Sequence, residues 1–182
     1  MKEIKFQNDA ALQIARRYAF FANHDQRPGT RRLSDPFFQA LSALTGAGKT
    51  PILAEAVTLI RNELQGEPIV LWMSKARSVV TQTYNNFNGG KYASLIGGFQ
   101  VCAIKDLKPA MVEDGGTPLL VLTTTGLFNN KDQAEGDLKI YRAAQDSQGG
   151  KSMWQRIIDR NDGQARRPLL MLYDDAHNHP QH

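Results

Sequence analysis

Cysteine is almost missing from this chain: Cys102 is the single thiol in 182 residues. One thiol excludes an intrachain disulfide and fits a reducing, cytoplasmic setting. No apolar run approaches the ~20 residues that a membrane helix needs, so no membrane partner is expected. The opening Met1-Lys2-Glu3-Ile4-Lys5 lacks the apolar block of a secretory signal. Internal repeats and low-complexity tracts are absent, which excludes a low-complexity fibre. The excess of one charge sign is small too. The formal net charge of +4 is compatible with a phosphate-rich partner without requiring one. What remains, 41% hydrophobic and 22% charged residues, excludes wholesale disorder and suffices for one domain with a full core.

Along the chain, Phe6, Ala10, Ile14, Tyr18 and Phe21 recur at three- and four-residue steps and predict a helix. His24 to Asp35 is polar, with Arg27-Pro28-Gly29 and Arg31-Arg32, and reads as an exposed loop. Short apolar runs follow at Phe37–Leu44, Ile69–Met73, Phe99–Ile104, Leu119–Thr123 and Leu169–Tyr173. Most are too continuous for half-exposed strands, which favours a sheet covered on both faces. Helical stripes separate several of them: Ile52, Leu53, Ala56, Val57, Ile60 and Leu64; then Ala76, Val79, Val80, Thr83 and Phe87; then Met153, Trp154, Ile157 and Ile158. This alternation predicts an α/β fold with a mostly parallel central sheet and helices on both faces. Asn88-Gly89-Gly90-Lys91 and the stretch from Asn129 to Lys151 read as inserted, mobile loops, the second with a short helix around Leu138 to Ala144.

Ala43-Leu44-Thr45-Gly46-Ala47-Gly48-Lys49-Thr50 stands between a strand-like and a helix-like run. That is the context in which a glycine-rich turn cradles phosphate. Gly46 and Gly48 let successive N–H groups of Thr45, Gly46, Ala47 and Gly48 converge on phosphate oxygens, and the following helix adds its positive end. Lys49 would reach the β- and γ-phosphates, and the Thr50 hydroxyl would ligate Mg²⁺. Pro51 falls in the first helical turn, where its missing N–H costs little. The competing reading is a glycine-rich turn that meets the pattern by chance.

A second signal is Leu169-Leu170-Met171-Leu172-Tyr173-Asp174-Asp175-Ala176-His177, an apolar strand ending in two acids. At the carboxyl end of a parallel strand, Asp174 would hold Mg²⁺ opposite Lys49 and Thr50. Asp175 would orient or deprotonate the attacking water, and His177 would link the nucleotide pocket to the nucleic-acid side or to a second motor domain. A pair of solvated acids capping a turn is the alternative.

With Ala43 where the general phosphate-loop pattern has Gly, the form A-x-x-G-x-G-K-T resembles motif I of superfamily-2 helicases and translocases. The Asp174-Asp175-Ala176-His177 run resembles their DEAH box. Ile69 to Gln82 is similar to motif Ia, with Arg77, Val79 and Gln82 on its Arg, Leu and Gln, and with Lys75 and Ala76 replacing Pro and Thr. Lys75 and Arg77 would meet nucleic-acid phosphates, unless they are an ordinary solvated basic pair. Thr123-Thr124-Thr125-Gly126 looks like the threonine turn that touches one strand, with Thr124 and Thr125 as its contacts. Phe6-Gln7 resembles the element that reads adenine, although Gln7 also suits a helix surface.

The order of these motifs resembles the first RecA-like domain of a DEAD/DEAH-type motor, and within it the helicase subunits of type III and type I restriction systems. The resemblance implies ATP and Mg²⁺ as cofactors and a nucleic-acid partner, DNA in preference to RNA. It implies restriction or modification subunits and a second RecA-like domain carrying an arginine finger. Such a finger is worth roughly 10³ to 10⁵ in rate. Residues 1–35 would form an N-terminal helix and loop carrying Gln7. Residues 36–182 would form the ATP-binding domain up to the DEAH-like box, as a fragment of a longer protein that is inactive or very slow alone.

The family has Glu where Asp175 stands. Asp is shorter by about 1.5 Å, and a misplacement of about 1 Å can cost roughly a hundredfold in rate. Good nucleotide binding with slow hydrolysis is therefore expected. A non-catalytic nucleotide-binding regulatory module, or another phosphate-loop NTPase or kinase, stays open. His177, His179 and His182 lack an acid or Cys partner for a metal site. Cys102, in a strand-like run, reads as a small buried hydrophobe.

Overall fold

Four of the apolar runs pair side by side. A computed structural model describes residues 5–24, 37–44, 46–128, 140, 150–160 and 167–174. In it β1 (Ile69–Ser74), β2 (Gln100–Ala103), β3 (Leu119–Thr124) and β4 (Leu169–Tyr173) form one sheet in the order β2-β3-β1-β4. Every ladder is parallel, with Trp72 flanked by Leu122 of β3 and Leu172 of β4. The chain is thus α/β with a parallel sheet.

Alternation along the strands sorts the core. Ile69, Leu71, Leu119 and Val121 turn to one face, where Val112 of α4 (Pro109–Glu113) and Ile157 of α5 (Met153–Asp159) join them. Val70, Trp72, Leu120 and Leu122 turn to the other, against α2 (Lys49–Arg61) and α3 (Arg77–Phe87), where Phe87 meets the Trp72 ring edge-on at 5.1 Å. The central strands β1 and β3 are buried on both faces, so they are apolar at consecutive positions rather than alternate ones. Burial of each such Leu or Ile stabilises by about 1.5–3 kcal/mol.

α1 (Lys5–His24) lies on the outer side of α2. Its buried stripe is Ala11, Ile14 and Ala15, set against Ile52, Ala56 and Ile60. Of the expected stripe, Ile14 is in this cluster and Ala10 and Tyr18 pack against it, while Phe6 stays half exposed.

Phe37–Leu44 corrects an expectation: among the described residues this run joins no ladder. Its odd-numbered residues are half-buried and its even-numbered residues exposed. Phe37 packs edge-on against Tyr18 at 5.6 Å and tilted against Phe21 at 5.5 Å, and Leu41 joins the α1–α2 cluster. A helix, not a neighbouring strand, takes up its apolar side.

Asn88-Gly89-Gly90-Lys91 is a tight turn closing α3, with the Tyr92 N–H donating to the Asn86 carbonyl. Of the second expected loop, Ile140 is buried in the core beside α5. The rest of 129–149, including the helix expected at 138–144, lies outside the described residues, as does 25–36. The amino-terminal end of the sheet is fastened by Arg167. Its guanidinium donates to the carbonyls of Glu67, Pro68, Met111, Val112 and Thr117.

Candidate nucleotide site at the carboxyl edge of the sheet

A parallel sheet gathers the ends of its strands along one edge, and there side chains from different strands converge on a crevice. α2 begins at that edge. Gly48 precedes it in the left-handed region at φ 81°, and Gly46 has the same φ. Two left-handed glycines in three residues turn the chain sharply, and the Ala47 N–H closes the turn on the Leu44 carbonyl. A Cβ on Gly46 would meet nothing within 4 Å, so that side of the turn is open. A Cβ on Gly48 would sit 2.3 Å from the Gln7 Nε2 atom. The backbone conformation favours glycine at 48, and a methyl there would displace the end of the flexible Gln7 side chain.

Gln7 belongs to the turn through α1. Its Nε2 donates to the Ala47 carbonyl at 2.9 Å. The amide thus braces the loop from α1. Pro51 is buried in the first turn of α2, and the Ile52 N–H makes its helical bond to the Gly48 carbonyl.

The two strongest sequence signals meet. The Thr50 hydroxyl donates to Asp174 Oδ2 at 2.8 Å, across 124 positions of chain. Asp174 follows β4, is 5% exposed, and its N–H donates to the Met73 carbonyl, extending the β1–β4 ladder by one step. A carboxylate this buried is tolerated only when hydrogen-bonded, and Thr50 supplies one such bond. Hydroxyl and carboxylate oxygens at a helix start are hard ligands of the kind Mg²⁺ takes. Lys49, half-buried, precedes Thr50.

The remaining predicted residues fall along the same edge. Lys75 and Arg77 follow β1 at the start of α3 and are exposed. Thr124 ends β3 and Thr125 opens the short 3-10 turn after it, both half-buried. Thr45, Asp175, His177, His179 and His182 lie outside the described residues. Cys102 is buried among apolar side chains, and burial, helped by the nearby Asp106 carboxylate, pushes its thiol up to about 12. Ser74 escaped the sequence reading, although a small polar residue closing the run Ile-Val-Leu-Trp-Met was its visible signal.

No family model, no curated protein and no solved structure matches the chain.

Proposed function

We propose that the chain is an ATP-binding RecA-like domain of a nucleic-acid helicase or translocase, similar to the helicase subunits of restriction systems. One observation carries this reading: the hydroxyl that would ligate Mg²⁺ and the acid that would hold it from the far side are in contact at 2.8 Å, at the start of a helix entered through two left-handed glycines. A chance glycine turn gives no reason for a distant buried carboxylate to meet it. Gly46 to Thr50 would hold the triphosphate of ATP, Lys49 would neutralise it, and Thr50 with Asp174 would hold Mg²⁺. The metal, when bound, would offset charge on the terminal phosphates. Lys75, Arg77, Thr124 and Thr125, on neighbouring strand ends, would meet the backbone of single-stranded DNA without reading its bases. Hydrolysis would take place against a second RecA-like domain, with Asp175 orienting water and His177 passing the nucleotide state on.

The test is a calorimetric titration of ATP with Mg²⁺ into the wild-type chain and into Lys49→Ala and Asp174→Asn. Saturable binding that both substitutions weaken at least tenfold is expected; a wild-type chain that takes up no ATP would sink the reading. Asp at 175 favours a second reading, a regulatory module that binds nucleotide without turning it over. In a protein with both motor domains, Asp175→Glu should raise DNA-stimulated hydrolysis if the motor reading holds. If turnover stays absent in both forms, the regulatory reading is left.

A further inference from the structure

A third polar side chain stands at the same edge with nothing to do in the protein alone. Ser74 closes β1, is 1% exposed, and its Oγ has no hydrogen-bond partner among the described residues. Its side chain points to the face of the sheet that carries Val70 and Trp72, the face covered by α2. In register beside it on β3 is Thr124. On its other side is β4, where Met73 pairs with Tyr173 and the Asp174 N–H continues the ladder. Ser74 is therefore next to Asp174 across one interstrand gap, on the same face. Asp174 is in turn tied to Thr50. The row Thr124, Ser74, Asp174 runs along the sheet edge beneath the start of α2.

A buried hydroxyl without a partner is destabilising, and alanine would fill a strand end of this kind with no such loss. Its presence next to the proposed metal ligands suggests that its partner arrives with the metal. Adjacent strands are about 4.8 Å apart, too far for neighbouring short side chains to bond directly in every rotamer but suited to one shared water. Mg²⁺ gives up its water reluctantly and keeps several on binding. A water held at both ends is nearly as favourable as a direct hydrogen bond.

We infer that Ser74 is a positioning residue of the nucleotide site, donating its hydroxyl to a water of the Mg²⁺ that Asp174 and Thr50 hold. The inference rests on the ATP·Mg²⁺ reading above. It adds that the end of β1 senses the metal, and Lys75 and Arg77 directly follow that end. Occupancy of the nucleotide site would thereby be felt at the turn proposed to meet DNA.

The experiment compares wild type, Ser74→Ala and Ser74→Thr. ATP is titrated calorimetrically once in Mg²⁺ and once in EDTA, and melting temperature is measured without nucleotide. The quantity of interest is the ratio of the two affinities. Ser74→Ala should melt no lower than wild type, yet lose roughly tenfold of the Mg²⁺-dependent gain, the size expected for one hydrogen bond in a charged site. Ser74→Thr, which keeps the hydroxyl, should retain the gain. An unchanged ratio in Ser74→Ala overturns the inference, and so does an equal loss with and without Mg²⁺, the mark of a structural role. In both cases wild-type ATP binding stands. Absence of ATP binding by wild type removes the ATP reading itself, and the inference with it.

Discussion

Gly48 and Gly46 share one backbone angle but not one environment, and the difference can be measured. Alanine at either position is strained at φ 81°, at about 1–3 kcal/mol. At 46 the new methyl enters open space, whereas at 48 it meets the Gln7 amide at 2.3 Å. Gly48→Ala should therefore be the more destabilising in urea denaturation. Gln7→Ala in the same chain should recover part of the excess, and simple additivity of the two changes would contradict the contact. Arg167 is a second case. It is 3% exposed, and its planar fork reaches five carbonyls from Glu67 to Thr117. Lysine cannot reproduce that fork. Arg167→Lys should destabilise by about 3 kcal/mol, comparable to breaking a buried charged network. Nothing in the sequence marked Arg167, because its partners are main-chain groups from three separate segments and leave no side-chain pattern. Cys102 is the contrasting residue, whose neighbours alone indicated burial. With its thiol raised from 9 to about 12, a disulfide reagent at pH 8 should modify it only at the rate of unfolding.

At the scale of elements, the joint between α2 and β1 is fixed by charge. Arg61, in the last turn of α2, meets Glu67 through two bonds of 2.7 and 2.8 Å and stacks over the Phe99 ring at 5.3 Å. The Arg61 hydrogen bond holds the Glu67 carboxyl below its usual range. A depressed carboxyl stabilises above its unfolded value of about 4.3 and loses that contribution as pH falls through the lower folded value. Glu67→Gln should remove this part of the acid dependence, about 0.5 kcal/mol for a partly exposed pair, in melts taken between about pH 6 and 3, around the unfolded carboxyl value. Four strands and four helical segments were legible because both-face burial writes continuous apolar runs and one-face burial writes stripes. Phe37–Leu44 was misread for the same reason. A segment that leans on Tyr18 and Phe21 through alternate residues has the same pattern as a strand leaning on a core. On α1 the pattern marks Ala10, Ile14 and Tyr18 but not Ala11 and Ala15, because small residues carry little weight in a hydrophobic pattern.

For the whole molecule, strand order was not legible, because apolar runs say that strands are buried but not which are neighbours. The order β2-β3-β1-β4 puts β4 at an edge. The consequence is unusual for a strand so apolar: Met171 is 55% and Tyr173 44% exposed, and β1 is the one ladder neighbour of β4 among the described residues. Phe38 and Leu44, at 86% and 84%, add apolar surface just before the glycine turn at 46–48. An edge of this kind templates further strands unless it is covered or charged. Self-association that grows with concentration is therefore expected of the chain, and sedimentation velocity over a hundredfold range, roughly that separating weak from moderate association, would reveal it. Met171→Lys places a charge on the edge without touching Thr50 or Asp174. It should shift the distribution toward monomer while leaving ATP uptake intact. Association that persists unchanged in the lysine variant would move the contact from β4 to the other exposed apolar side chains, Phe20, Phe38 and Leu44 foremost.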